Sequence, residues 1–140
     1  MTKPKIVIRR IEIDSDEIDA VKALDHATLP ECGPADNTEW WGAFEGEELV
    51  AYAGARVLPS GAWFLSRAGV REAWRGHRLQ LRLIRARVRR GRQLACSRIV
   101  TYTMPNNAPS MRNLIRGGFM PYEPEVAWSG SGVVYWKYVG

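Results

Sequence analysis

Metal-ligand chemistry is the first thing this sequence is short of. It holds two cysteines, Cys32 and Cys96, and two histidines, His26 and His77. They have no CxxC or similar spacing, so a zinc site is excluded and no metal is expected. Two cysteines so far apart argue for reduced, buried thiols in a cytosolic protein rather than for a disulfide framework. Long apolar runs are also missing. No stretch approaches the ~20 residues of a membrane helix, and the start, MTKPKIVIRR, has no signal-peptide core. A soluble, cytoplasmic chain without membrane contact is expected. There is no internal repeat, low-complexity tract or linker, so residues 1–140 are expected to form one domain. No Walker motif and no GxGxxG occurs, which weakens nucleoside triphosphate and dinucleotide readings.

What the chain does have is positive charge, unevenly spread. Twenty Lys and Arg against fifteen Asp and Glu give a formal net charge of +5. Such an excess favours acidic partners: phosphates, nucleic acid or an anionic cofactor. Nine arginines fall between Arg71 and Arg92, whereas DSDEID and EGEE make the earlier part acidic. Placed on a helix of 3.6 residues per turn, Arg78, Arg82, Arg85, Arg89 and Arg92 form one stripe. Leu79, Leu81, Leu83, Ile84 and Val88 occupy the other faces, so the spacing predicts a largely buried helix with one basic ridge outward. The stripe alone does not separate a solvated face from a phosphate-binding ridge. The flanking segments carry no helix-turn-helix, zinc finger or RNP-type strand, which argues against nucleic acid.

Periodicity supplies the rest of the order. KIVIRRIEI alternates like a strand, and a helix follows with Ser15 as its N-cap, Ile18, Val21 and Leu24 inward, and an end by Pro30. ECGPADN reads as a loop. EWWGAFEGEELVAYAGARVL predicts two strands about a tight turn at Glu45-Gly46-Glu47, and AWFLSRAGV a third. After the basic helix comes RIVTYTM, a β-branched strand expected near the sheet centre. NNAPSMRNLIRGGF predicts a helix with proline at its start and Gly117-Gly118 as its stop. The tail suggests two strands joined at SGSG. The resulting order is an α/β (α+β) fold: a mixed sheet of about six to seven strands flanked by three to four helices.

The segment SRAGVREAWRGHRLQ runs from a strand through Arg75-Gly76 into a helix N-terminus. Exposed N–H groups and the dipole's positive end make such a place an anion site. Here the sequence resembles the GNAT superfamily, the acetyl-CoA-dependent N-acetyltransferases. VREAWRGHRLQLRLI, Val70 to Ile84, is similar to that family's valine, four-residue spacer and Arg-Gly-x-Gly-x-Gly/Ala. NAPSMRNLIRGGF, Asn107 to Phe119, is similar to its Asn-x-x-Ala/Ser helix ending in Gly-Phe. The resemblance covers essentially the whole chain.

Several expectations follow from the resemblance. Acetyl-CoA would be the co-substrate and a small-molecule or peptide amine the acceptor, attacking the thioester directly. Arg75, Gly76, His77, Arg78, Leu79 and Gln80 would cradle the pyrophosphate. Val70 would pair with the pantetheine arm where two strands splay, and Asn107 and Ser110 would lie beside it. Arg78 and Gln80 replace the family's small residues, and helical φ/ψ is expected to suffice for Arg78. Leu114 stands where many members carry a tyrosine general acid. Tyr102 falls where some members carry a glutamate, so it is either a catalytic group or a core aromatic. Glu39, Glu45 and Glu123 are alternative bases acting through water. Trp40, Trp41 and Tyr52 either line the acceptor pocket or pack the core. VVYWKYV is a sheet strand of a kind whose edges support homodimers in this family. The departures leave open a catalytically weak, CoA-binding or regulatory protein, and the stripe a basic nucleic-acid-associated module.

Overall fold

The computed structural model describes residues 5–140. Strand β1 is Ile6–Ile11, helix α1 Ile18–Thr28, β2 Glu39–Glu45, β3 Glu48–Val57 and β4 Trp63–Val70. Helix α2 is Leu79–Gln93, β5 Ile99–Thr103, α3 Ala108–Arg116, β6 Phe119–Tyr122 and β7 Val134–Tyr138. The seven strands form one sheet in the order β1-β2-β3-β4-β5-β7-β6. Only β4 and β5 run parallel; every other neighbour is antiparallel. The expected element order and sheet size are both found.

Helices α2 and α3 cover one face of the sheet, over a core built on Trp41, Val50, Trp63, Leu83, Leu114 and Trp136. On the opposite face α1 packs Ile18, Val21 and Leu24 against Trp40 and Tyr52. Beyond α1, that face carries an aromatic patch of Phe64, Tyr102, Tyr122 and Trp128 around Val100. Trp40, Trp41 and Tyr52 are all buried, so of their two expected roles the structure gives them packing. Gly46, at φ 61°, makes the β2–β3 turn, a backbone region that glycine enters without steric cost.

Some local expectations fail. Ser15 does not cap α1. The helix starts at Ile18 after Glu17, and the Ser15 hydroxyl is buried without a partner. Residues 12–18 instead form turns, with Ser15 N–H on the Glu12 carbonyl and Ile18 N–H on that of Ser15. In the tail no tight turn at SGSG joins two strands, because β6 already ends at Tyr122 and residues 123–133 form a long loop. Nor does VVYWKYV form an edge. Strand β7 lies between β5 and β6, and the edge strand β6 carries Pro121, which offers no N–H for strand addition. Both cysteines are free, but Cys32 is exposed and Cys96 half-buried, so neither is a buried thiol.

Helix α2 lies close against the sheet at Gly91. A Cβ there would stand 2.5 Å from Trp63 Cδ1 and 3.2 Å from Ile99 Cδ1. Trp63 cannot yield, since its ring is fully buried and its Nε1 donates to the Arg87 carbonyl at 2.9 Å. We expect Gly91→Ala to cost about 1–3 kcal/mol, as overpacked cores do. Calorimetry should show a fall of several degrees in Tm. Gly33→Ala, whose Cβ would meet nothing within 4 Å, is the control and should leave Tm almost unchanged.

Candidate active site

The central irregularity of the sheet is strand β4. It pairs with β5 at two positions only, Trp63↔Ile99 and Phe64↔Val100, before the strands part. The Thr101 hydroxyl bridges the start of the gap, donating to the Leu65 carbonyl at 2.7 Å. On its other side β4 stays paired with β3 through a bulge: Gly54 faces Arg67 and Ala55 faces Leu65, which leaves Ser66 as the extra residue. The Ser66 hydroxyl is buried and unpartnered. Between the parted strands lies a cavity of about 260 Å³, with Leu65 to Ala68 on one side and Thr101 to Met104 on the other. It joins a wider cavity of about 690 Å³ at the start of α2 through shared walls at Ala68, Gln80, Asn107, Ser110 and Asn113. Together they form one slot that runs from the parted strands to the start of α2.

Of the nine residues expected to hold a cofactor, eight line the wider cavity: Val70, Arg75, Gly76, Arg78, Leu79, Gln80, Asn107 and Ser110. His77 does not. Its ring lies against Trp74, with Nδ1 at 3.0 Å from the Trp74 carbonyl. The first backbone bond of α2 runs from Arg82 N–H to the Arg78 carbonyl, so the N–H groups of Leu79, Gln80 and Leu81 have no helical partner. Arg75, Arg78 and Arg116 line the same end, and none is in an ion pair among the described residues. Unsatisfied N–H groups and free guanidinium groups together suit an anion.

Arg78 corrects one expectation. Its backbone is left-handed, at φ 59° and ψ 25°, not helical. The chain thus keeps the glycine-type turn without glycine, at a cost of roughly 1–2 kcal/mol. Gly76, at φ 87°, makes the preceding bend. Asn107 is the N-cap of α3, with Oδ1 accepting from Ser110 N–H at 3.3 Å, and Pro109 follows in the first turn.

The narrow cavity holds the remaining groups of interest. The Tyr102 ring stacks on Phe64 at 5.7 Å and meets Trp128 edge-on at 5.8 Å, so it is packed within the aromatic patch. Leu114 is buried in the slot wall. Glu39 is held by Arg10 and Arg90, at 3.3 and 2.8 Å, away from the slot. Glu45 ends β2, and Glu123 lies in the β6–β7 loop. No carboxylate lines the slot among the described residues.

Besides the bulge residue, three side chains in or behind the slot wall went unnoticed in the sequence: Arg67, its partner Asp25, and Arg87. Arg67, in the slot wall, pairs with Asp25 of α1 at 2.7 Å, and Asp25 is 2% exposed. Beside them the Tyr52 hydroxyl lies 2.7 Å from Thr28 Oγ1, and burial pushes that phenol well above its ordinary range. Breaking such a buried pair costs about 3–5 kcal/mol, because it strands the surviving charge. Arg87 is the third, and its place was legible: nine residues beyond Arg78 is roughly half a turn from the stripe, on the buried side. Its side chain is 3% exposed. It donates from Nε to Leu83 O at 3.1 Å, and from Nη1 to Gly54 O and Arg67 O at 3.0 and 3.3 Å. Ser66, the bulge residue, left no signal in the pattern.

A model of the acetyltransferase (GNAT) family matches residues 8–119, from β1 to the start of β6. The chain belongs to this family. No curated protein matches it. Solved GNAT-fold structures of similar shape include an acetyltransferase from Bacillus subtilis in complex with CoA. That protein is 15% identical over 96% of this chain and 98% of its own, with a TM-score of 0.71. NAA60 of Arabidopsis thaliana in complex with acetyl-CoA is 16% identical over 96% and 98%, with a TM-score of 0.75. The IAA acetyltransferase of Bacillus cereus is 13% identical over 96% and 99%, also at 0.75. At such identities the likeness is one of fold. Within that fold the left-handed Arg78 sets up a direct test. Arg78→Gly should raise stability by up to about 1 kcal/mol, because relief of the left-handed strain exceeds glycine's added freedom in the unfolded chain. A small rise in Tm, with the affinity for inorganic pyrophosphate reduced by loss of one guanidinium, is the expected pair of results.

Proposed function

We propose that this protein is an acetyl-CoA-dependent N-acetyltransferase acting on an amine acceptor. The observation that carries the proposal is the gap between β4 and β5, which opens onto the basic end of α2 through one continuous slot. The residues present fit the co-substrate. Arg75, Gly76, Arg78, Leu79 and Gln80 would hold a pyrophosphate mainly through backbone N–H groups, with His77 at the rim. The free backbone of β4 up to Val70 would pair with the pantetheine amides, and Asn107 and Ser110 would flank them. The thioester then lies in the narrow cavity, and a small-molecule or peptide amine reaches it from the aromatic side of the sheet.

A neutral amine is the nucleophile in this scheme. Its nitrogen bonds to the carbonyl carbon, the carbon–sulfur bond breaks with its electron pair on sulfur, and nitrogen gives up one proton. A proton acceptor is therefore needed, and the Tyr102 hydroxyl or solvent in the slot is the candidate. A second reading, a CoA-binding protein of weak activity, is favoured by the lack of a carboxylate in the slot.

Acetyl-CoA at ~100 times its Kd should stabilise the fold by about 2.7 kcal/mol, read as a thermal shift. No shift overturns the proposal. Arg75→Ala should raise the Kd roughly tenfold and flatten its salt dependence, as expected when a charge-assisted phosphate contact is lost. Thiol release measured with simple amines, polyamines and N-terminal peptides decides between enzyme and binding protein. A shift without release on any of them leaves the second reading. Tyr102→Phe tests the hydroxyl: a fall in kcat of roughly a hundredfold or more at unchanged Tm is expected of a proton-transfer group. An unchanged kcat restricts the ring to packing.

A further inference from the structure

Arg87 carries a charge that no group among the described residues neutralises. It is buried on the sheet-facing side of α2, and no carboxylate reaches it among the described residues. Its three hydrogen bonds all go to backbone carbonyls, and its second terminal nitrogen has no partner among the described residues. The titratable and charged groups around it are Tyr52 of β3, Arg67 of β4 with Asp25 of α1 behind it, and Tyr102 of β5. To the narrow cavity helix α3 and its N-cap present only Asn107, Ser110, Asn113 and Leu114, and Arg116 lies in the wider one. Arg67 is already matched by Asp25. Arg87 is therefore the unmatched cation of the narrow cavity.

Hydrogen bonding alone does not explain this arrangement. A neutral donor would serve the bulge carbonyls of Gly54 and Arg67 without a buried charge. Burial without a counter-ion draws the Arg87 guanidinium down to about 9, which still leaves it charged at neutral pH. A fixed cation in a low-dielectric wall favours negative charge arising beside it, and needs no reorganisation to do so.

We propose that Arg87 stabilises the thiolate released at the narrow end of the slot, acting as a fixed positive charge in the cavity wall. This rests on the acetyl-CoA reading above. In the transfer the acetyl carbon exchanges its bond to sulfur for a bond to nitrogen. The electron pair stays on sulfur, and the amine proton passes to solvent or a base. The leaving sulfur is thus anionic when it forms, and no group in the slot needs to hand it a proton.

The test reads the thiol of bound CoA directly. Thiolate absorbance of the protein–CoA complex is followed from about pH 6 to about pH 9, a range around the ordinary thiol value. In the unaltered protein the bound thiol should titrate at least about one unit below free CoA, a tenfold gain in thiolate. Arg87→Lys should keep part of the shift and Arg87→Gln should abolish it. If the bound thiol titrates like free CoA in the unaltered protein, Arg87 has no such role. This arm requires no variant to fold. Desulfo-CoA supplies a second arm: from about pH 6 to about pH 8, where Arg87 stays charged, Arg87→Gln should weaken CoA binding increasingly as pH rises, but weaken desulfo-CoA by a constant factor. Equal losses for both ligands at all pH values would reduce Arg87 to a bulge support and overturn the proposal. Failure of CoA to bind at all removes the acetyl-CoA reading and this one together, whereas binding with an unshifted thiol removes this one alone.

Discussion

One strand cannot satisfy two neighbours. Strand β4 keeps its ladder with β3 by taking an extra residue at Ser66, and it leaves β5 after two pairs. Every backbone group freed by that choice still needs a partner, because buried unpaired amides and carbonyls are costly. Thr101 serves the Leu65 carbonyl, and Arg87 serves those of Gly54 and Arg67. What these side chains do not reach faces the slot. The slot and the irregularity of the sheet thus have the same origin.

Helix α2 meets this constraint from both sides. Its outer face carries Arg82, Arg85, Arg89 and Arg92 into solvent, where charge is inexpensive. Its start offers unpaired N–H groups beside Arg75 and Arg78. On the inner face Gly91 lets the helix sit on Trp63, which holds the helix at the distance from which Arg87 spans to the bulge. Arginines nine residues apart therefore do opposite things. Arg78 bends the backbone at the cavity mouth, and Arg87 braces the sheet from inside.

Much of this was legible in the chain itself. Alternation and glycine placement gave the order of all ten elements, and the family resemblance singled out six slot residues from Val70 to Gln80 with Asn107 and Ser110 beyond them. Other features resisted because they depend on distant partners. The bulge at Ser66 arises from the mismatch of β4 with β3, which no local pattern records. The Asp25–Arg67 pair joins residues 42 apart in sequence, from a helix and a strand. Ser15 has the chemistry of a cap, yet the turns of residues 12–18 delay the helix by two residues. Arg87 was hidden for a different reason: nine arginines in one segment invite a surface reading, although the helical angle already set it inward.

The placement of β7 also governs when the slot can exist. Strands β2, β3 and β4 are neighbours in both sequence and space, so their pairing closes only short loops. Strand β5 has only two rungs with β4, and its longer ladder is with β7, the last strand of the sheet. One wall of the slot therefore has most of its ladder only once Val134–Tyr138 is available to pair with β5. The N-terminal half of the sheet rests on local contacts, while the slot depends on a distant one. A nascent chain arrested before residue 134 would hold a basic helix and a half-sheet, but no slot in which to use them.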